Sequence, residues 1–252
     1  MDRDGSAADQ DINPFSALHY GLLREGPGSD ETTLRALGLT GLSGALDIAD
    51  MGAGPGSATL LLTQALPGSR VVAVDLHQPS LNALVGRAQA AGVEGQIETA
   101  KADMADAGFV EGSLDLIWCE NAIYFVGVER ALRLWQPLLK PGGRVVFSDE
   151  IWLTDDRPDD VKLVFANYPE MTTKVGVEAH IRAAGFRVID SFLQPKSDWQ
   201  NYLGPLGARA AALRPQADET LKAVLDGAET EVALFERHST AYGYQMFVVE
   251  PA

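Results

Sequence analysis

An alternation constrains this chain more than any other feature. From residue 46 to residue 151, short β-branched runs take turns with helical patterns. The runs predict strands over 46–51, 70–75, 95–99, 114–119 and 144–151, the last preceded by a Pro141-Gly142-Gly143 turn. Helices are predicted over 57–66, on the face marked by Leu81, Leu84, Val85 and Ala88, and on the stripe Val128, Ala131, Leu132, Trp135 and Leu138. Strands separated by helices cannot pair as tight hairpins. They form a parallel, doubly wound sheet with helices on both faces.

The alternation stops at both ends. Residues 13–37 read as two helices around Gly26-Pro27-Gly28. Residues 154–174 are polar, aromatic and proline-containing, the character of an insertion. A helix over 177–184 and a strand over 187–193 follow. Next come a segment with Trp199 and Tyr202, then a long helix on which Leu221, Val224, Leu225, Ala228, Val232 and Phe235 share a face. A strand over 244–250 closes the chain. One domain is expected over 13–252, with a disordered tail over 1–12. A helical cap over 13–40 and substrate-covering insertions over 152–175 and 195–241 complete it.

Charge excludes two classes of partner. The 252 residues carry 35 acids and 20 bases, a net charge of −15. Phosphate neutralisation demands clustered Lys and Arg, so neither nucleic acid nor an anionic membrane is an expected partner. No apolar run approaches the roughly 18 residues of a membrane span. The acidic N-terminus lacks a signal-peptide pattern, and the lone Cys119 rules out an intramolecular disulfide, so the expected location is cytoplasmic. His19 and His180 form no ligand pattern with carboxylates, and no metal is expected.

The most informative stretch is Asp50-Met51-Gly52-Ala53-Gly54-Pro55-Gly56 at the end of the first strand. Glycines there permit a tight turn and close approach of a ligand to the backbone. A dinucleotide fingerprint reads G-x-G-x-x-G, whereas this loop reads G-x-G-x-G with Ser57 in sixth place. Asp50 would also repel a pyrophosphate, while it suits a ligand carrying an ammonium group. Two further acids end the next strands: Asp75, 25 residues after Asp50, and Asp103 in Lys101-Ala102-Asp103-Met104.

On these residues the chain resembles the class I S-adenosylmethionine-dependent methyltransferases. The resemblance covers roughly residues 45–150. It implies that Asp50 and the glycine loop meet the amino acid end of S-adenosyl-L-methionine, that Asp75 accepts from the ribose hydroxyls, and that Asp103 and Met104 hold the adenine. The implied cofactor set is Arg24, Asp50, Gly52, Ala53, Gly54, Gly56, Asp75, Leu76, His77, Asp103, Met104 and Glu120. The implied fold is α/β, a Rossmann-like doubly wound sheet of seven strands. It is mostly parallel with an antiparallel last strand, a helical N-terminal segment and a helical insertion before that strand. Arg24-Glu25-Gly26-Pro27-Gly28-Ser29, Ala122-Ile123-Tyr124, Trp152-Leu153-Thr154, Tyr168-Pro169-Glu170 and Tyr242-Gly243-Tyr244 also look like a bacterial subgroup of small-molecule methyltransferases. This chain departs from the subgroup in having Glu25 for Gln, and Cys119 and Asn121 for Ser and Gly.

The reaction expected is methyl transfer to nitrogen, oxygen or sulfur of a small molecule by direct displacement, aided by proximity and desolvation. Glu120, at the carboxyl end of the fourth strand, is the first candidate base; its competing role is to shape the pocket. Tyr124 and His238 are the other catalytic candidates, against roles as pocket wall and as helix-end cap. Cys119 ends an apolar strand without a His partner, which favours packing over nucleophilic work. Glu120, Tyr124, Trp152, Tyr168, Trp199 and Tyr202 are the candidate substrate-binding residues. Aromatic faces with carboxylates would favour a cationic amine. A homodimer stays open. The alternatives are a nicotinamide-dependent oxidoreductase and a non-catalytic cofactor-binding protein.

Overall fold

A computed structural model describes residues 13–252. The tail expected over 1–12 lies outside the described residues. Two helices open the fold, α1 (Pro14–His19) and α2 (Asp30–Leu39). Each starts at a side-chain cap: Asn13 accepts from the Ser16 N–H and Ser29 from the Thr32 N–H. The alternating region then gives β1 (Asp47–Met51), α3 (Ser57–Ala65), β2 (Arg70–Asp75), α4 (Gln78–Ala91), β3 (Ile97–Lys101), β4 (Leu114–Cys119), α5 (Val128–Trp135) and β5 (Leu139–Trp152). After it come α6 (Asp159–Val164), β6 (Thr172–Thr173), α7 (Lys174–Ala183), β7 (Phe186–Leu193), α8 (Lys196–Leu213), α9 (Glu219–His238) and β8 (Tyr242–Pro251).

The sheet order is β3-β2-β1-β4-β5-β8-β7. Strands β1 to β5 are mutually parallel, and β8 runs antiparallel to both β5 and β7. The chain winds outward through β2 and β3, then returns to the other side of β1. The carboxyl ends of β1 and β4 therefore flank a topological switch point, where open α/β sheets bind ligands.

Three local details differ from expectation. The third strand starts at Ile97 rather than at residue 95, because Glu94–Gln96 forms a single 3₁₀ turn. The Pro141-Gly142-Gly143 turn lies inside β5: Leu139 pairs with Leu114 and Arg144 with Leu116, so the intervening residues bulge out. An eighth strand, β6, pairs two residues with the end of β5.

Strand β4 explains why the central sheet is buried on both faces. Leu116 and Trp118 pack on one side with Ile48, Leu62 and Val146, while Ile117 and Cys119 pack on the other with Val145, Phe147 and Trp135. A separate core forms from the insertions, with Trp199 stacked on Phe235 at 4.4 Å and Tyr242 at its edge. No helix among the described residues is long and apolar enough to cross a membrane.

Candidate active site

At the switch point lies a cavity of about 530 Å³, floored by Gly52 and Gly54 and walled by Asp50, Asp75, Asp103 and Met104. The three loop glycines have different physical reasons. A Cβ on Gly52 would meet the Ala122 Cβ at 2.4 Å, and one on Gly56 would meet Leu84 Cδ1 at 2.1 Å. Gly54 lines the cavity, with φ +53° and only Glu25 near its missing Cβ. Gly56 itself does not line the cavity. It lets α3 pack close against α4.

Main-chain donors aim the acids. Asp75 accepts from the Gly54 N–H at 2.8 Å through Oδ2 and from the His77 N–H at 2.8 Å through Oδ1. Each oxygen keeps a lone pair for a ligand hydroxyl. Asp103 accepts from the Ala105 N–H at 2.8 Å. Asp50 is 2% exposed and accepts from the Thr59 hydroxyl. Burial pushes its carboxyl up to about 7, opposed by that hydrogen bond and aided by the charges of Glu120 and Asp75. A ligand ammonium beside it would reverse that shift. A carboxylate with lone pairs open to a ligand, a buried acid that a cation would ionise and an apolar Met104 share one cavity, a set that suits an adenosine linked to an amino acid.

Helix α1 and the strap that joins it to α2 cover this cavity. Ser16 Oγ lies 2.6 Å from His77 Nε2, and the Ser80 hydroxyl donates to Glu25 Oε1 at 2.8 Å. Arg87 donates to the Pro55 and Leu23 carbonyls, and Asn121 Nδ2 donates to the Pro27 carbonyl at 2.8 Å. Asn121 has φ 56°, the left-handed conformation that Asn tolerates better than most side chains.

Glu120 is firmly held. Its Oε1 accepts from the Thr33 hydroxyl at 2.7 Å and from Trp118 Nε1 at 2.9 Å, while Arg24 Nη1 stands 3.3 Å from Oε2. Burial raises its carboxyl, and Arg24 and the two hydrogen bonds pull it back. Arg24 also meets Asp30 at 3.0 Å. This network joins the strap to the end of β4.

A second cavity of about 390 Å³ adjoins the first. Phe15, Glu25, Gly26, Asn121 and Tyr124 line both. Its walls are otherwise apolar and aromatic, with Phe165, Trp199, Tyr202, Tyr242 and Tyr244. Besides Glu25, two carboxylates face into it, Glu150 from β5 and Glu231 from α9. Neither has a hydrogen-bond or ion-pair partner among the described residues, and no Lys or Arg lines the cavity. Burial raises both, Glu231 to about 7 and Glu150 well above its ordinary range, with Glu231 and Asp149 adding to the latter.

Residues 48–143 match the family model of the methyltransferase domain. Over those residues the chain carries a methyltransferase domain. It is 28% identical over 151 residues to a sarcosine/dimethylglycine N-methyltransferase of Halorhodospira halochloris, covering 57% of this chain and 53% of that protein. It is 32% identical over 100 residues to a demethylmenaquinone methyltransferase of Thermus thermophilus, covering 39% and 44%. The chain thus spans about half the length of the curated relatives it matches. Its fold is similar to a crystal structure of an S-adenosylmethionine-dependent methyltransferase from Geobacter sulfurreducens in complex with S-adenosyl-L-homocysteine. The TM-score is 0.84 at 18% identity, covering 95% of this chain and 98% of that one. The domain match favours methyl transfer over the nicotinamide reading of the glycine loop.

Of the expected cofactor residues, Arg24, Asp50, Gly52, Ala53, Gly54, Asp75, Leu76, His77, Asp103, Met104 and Glu120 all line the first cavity. Tyr124, Trp199 and Tyr202 line the second. Four expected site residues line neither. Gly56 packs on Leu84, and Trp152 is buried in the insertion core with its Nε1 donating to the Met171 carbonyl at 3.1 Å. Tyr168 donates to Asp149 at 2.9 Å. His238 lies at the end of α9, 3.0 Å from Asp160 and away from both cavities.

Sequence reasoning did not assign several polar wall residues to the site, among them Glu25, Asn121, Glu150 and Glu231. Glu25 and Asn121 carried no signal beyond their departure from the subgroup pattern. Glu231 did carry one. It falls three residues after Ala228 and seven after Val224, so helical spacing puts a carboxylate on the apolar stripe.

Proposed function

We propose that this chain is an S-adenosylmethionine-dependent methyltransferase whose acceptor is a small cationic amine, methylated on nitrogen in the second cavity. The observation that carries this reading is a cavity of aromatic rings and two unpartnered carboxylates that shares Tyr124, Asn121 and Gly26 with the first. Aromatic faces attract a cation through their quadrupoles, and desolvated carboxylates without a protein partner seek one. A neutral alcohol or thiol would give neither carboxyl the counter-charge that favours its ionised form. The name of the Halorhodospira relative, an N-methyltransferase of sarcosine and dimethylglycine, supports an amine acceptor.

In this reading Asp75 holds the ribose, Asp103 and Met104 the adenine, and Asp50 with Arg24 the amino acid end. The bound cofactor supplies a methyl group on a sulfonium, an electrophile that needs no covalent help from the protein. Tyr124 and Asn121, at the common wall, orient the acceptor nitrogen toward it. The strap and the insertion helices exclude water, which strengthens alignment and electrostatics together. Glu120, saturated by Thr33, Trp118 and Arg24, positions the strap rather than accepting a proton.

A labelled-methyl assay tests this reading with butylamine, benzylamine and ethanolamine against butanol, benzyl alcohol and butanethiol. Amines are expected to be the fast acceptors, and preference for an alcohol or thiol overturns the proposal. Thermal stabilisation by S-adenosylhomocysteine but not by NAD is expected alongside.

A further inference from the structure

We propose that Glu150 is the base that removes the proton from an ammonium acceptor, and that Glu231 is the carboxylate that balances the cation before and after transfer. The proposal rests on the amine reading above. An amine at neutral pH arrives protonated, and its lone pair is unavailable until that proton leaves. A base is therefore required inside the cavity, within reach of the reacting nitrogen.

Placement separates the two acids. Glu150 sits near the carboxyl end of β5, where its backbone pairs with Tyr244 of β8, so the sheet fixes it. Glu231 sits on α9, in the insertion. Strand β5 pairs with β4, whose end leads into Asn121 and Tyr124 of the wall shared with the first cavity, and the Asn121 N–H donates to Ser148 Oγ of β5 at 2.8 Å, two residues before Glu150. Glu150 therefore lies on the sheet side of the cavity, next to that shared wall, and Glu231 on the insertion side.

Of the other titratable groups of the cavity, Glu25 of the strap accepts from Ser80, and His19 of α1 donates Nδ1–H to the Phe15 carbonyl, which leaves its Nε2 as the competing base; a wild-type pH profile is expected for H19Q. Asp149, beside Glu150, accepts from Tyr168. Burial keeps the Tyr124, Tyr202, Tyr242 and Tyr244 hydroxyls protonated. Desolvation also brings donor and acceptor together. It weakens the ammonium's hold on its proton and strengthens the carboxylate's, so transfer approaches balance.

The step closes chemically. The ammonium N–H breaks, and its proton forms an O–H on Glu150. The freed lone pair bonds the methyl carbon, and the C–S electron pair stays on sulfur as a neutral thioether. One positive charge thereby moves from sulfur to nitrogen, and the ionised Glu231 faces it there.

Two measurements on the full chain test the proposal. In the first, calorimetric titration compares choline, a permanent cation, with 3,3-dimethylbutan-1-ol, its neutral isostere. Choline is expected to bind about tenfold more tightly, and E231Q to remove most of that preference. In the second, the fastest amine of the panel is followed across pH 6 to 9. The wild-type kcat is expected to rise with pH. E150Q is expected to lower kcat about 100-fold or more, abolish that rise and change KM little. E150D is expected to keep the pH-dependent rise at reduced kcat, and it carries the test should E150Q fail to fold. An E150Q enzyme with wild-type kcat and pH profile overturns the base, as does an E150D enzyme with wild-type kcat. Choline preference unaffected by E231Q overturns the counter-charge. Equal binding of the two isosteres, with alcohols or thiols as the fast acceptors, instead overturns the amine reading beneath both.

Discussion

The two cavities present acidic side chains by different means. In the first, the acids sit at the ends of consecutive strands. Main-chain N–H groups aim Asp75 and Asp103, and Thr59 holds Asp50. In the second, the walls come from α1, the strap, the ends of β4 and β5, the insertion helices and β8, and Glu150 and Glu231 have no partner among the described residues. Backbone-aimed acids keep their geometry whatever the neighbouring side chains are. Unpartnered acids owe their charge to whatever enters. The first cavity thus reads as the fixed half of the site and the second as the half that selects.

Breaking the frame of the first cavity gives the largest effect. Gly56→Ala places a Cβ 2.1 Å from Leu84 at φ +82°, so overlap and backbone strain add. A loss of about 3 kcal/mol or more in unfolding free energy is expected by denaturant titration. Asp75→Ala comes next. It removes the carboxylate without touching the second cavity, so calorimetry is expected to show about 100-fold weaker S-adenosylhomocysteine binding and unchanged choline binding. Loss of both would show that the cavities do not act separately.

A smaller effect follows from the raised acids. The carboxyls of Asp50, Asp149 and Glu231 are each pushed up to about 7, above their unfolded values near 4. The folded state then binds more protons between those values, so stability falls as pH rises from about 4 to about 7. Melting curves are expected to show that decline in the ligand-free chain, and Asp50→Asn is expected to flatten it. A melting temperature that climbs across this window would contradict the burial of these acids. The smallest effect is at His238, whose contact with Asp160 lies outside both cavities. His238→Ala is expected to leave turnover within about twofold.

Much of the first cavity was legible in the sequence because its parts are local. Asp50 and the glycines are one loop, and Asp75 and Asp103 end the strands that helical spacing delimits. The second cavity was legible only as a list of aromatics with carboxylates nearby in sequence, Glu120, Glu150 and Glu170. Trp152 and Trp199 look alike in sequence, yet one is sealed in the insertion core and the other reaches the cavity. His238 and Glu231 share a helix, and the sequence favoured the histidine because its chemistry is familiar. The turn of α9 decides otherwise: Glu231 faces inward and His238 meets Asp160.

By itself, then, the sequence determined the doubly wound sheet and the acids of its switch point. Strand–helix periodicity and glycine spacing act over a few residues, and a short window of sequence encodes them. Only the tertiary structure decided which carboxylates go without partners. That property belongs to the space between Glu150 and Glu231, 81 residues apart in the chain, and to the absence of any Lys or Arg in the walls around them. Desolvation depends on what surrounds a group in three dimensions, and no local pattern carries that information.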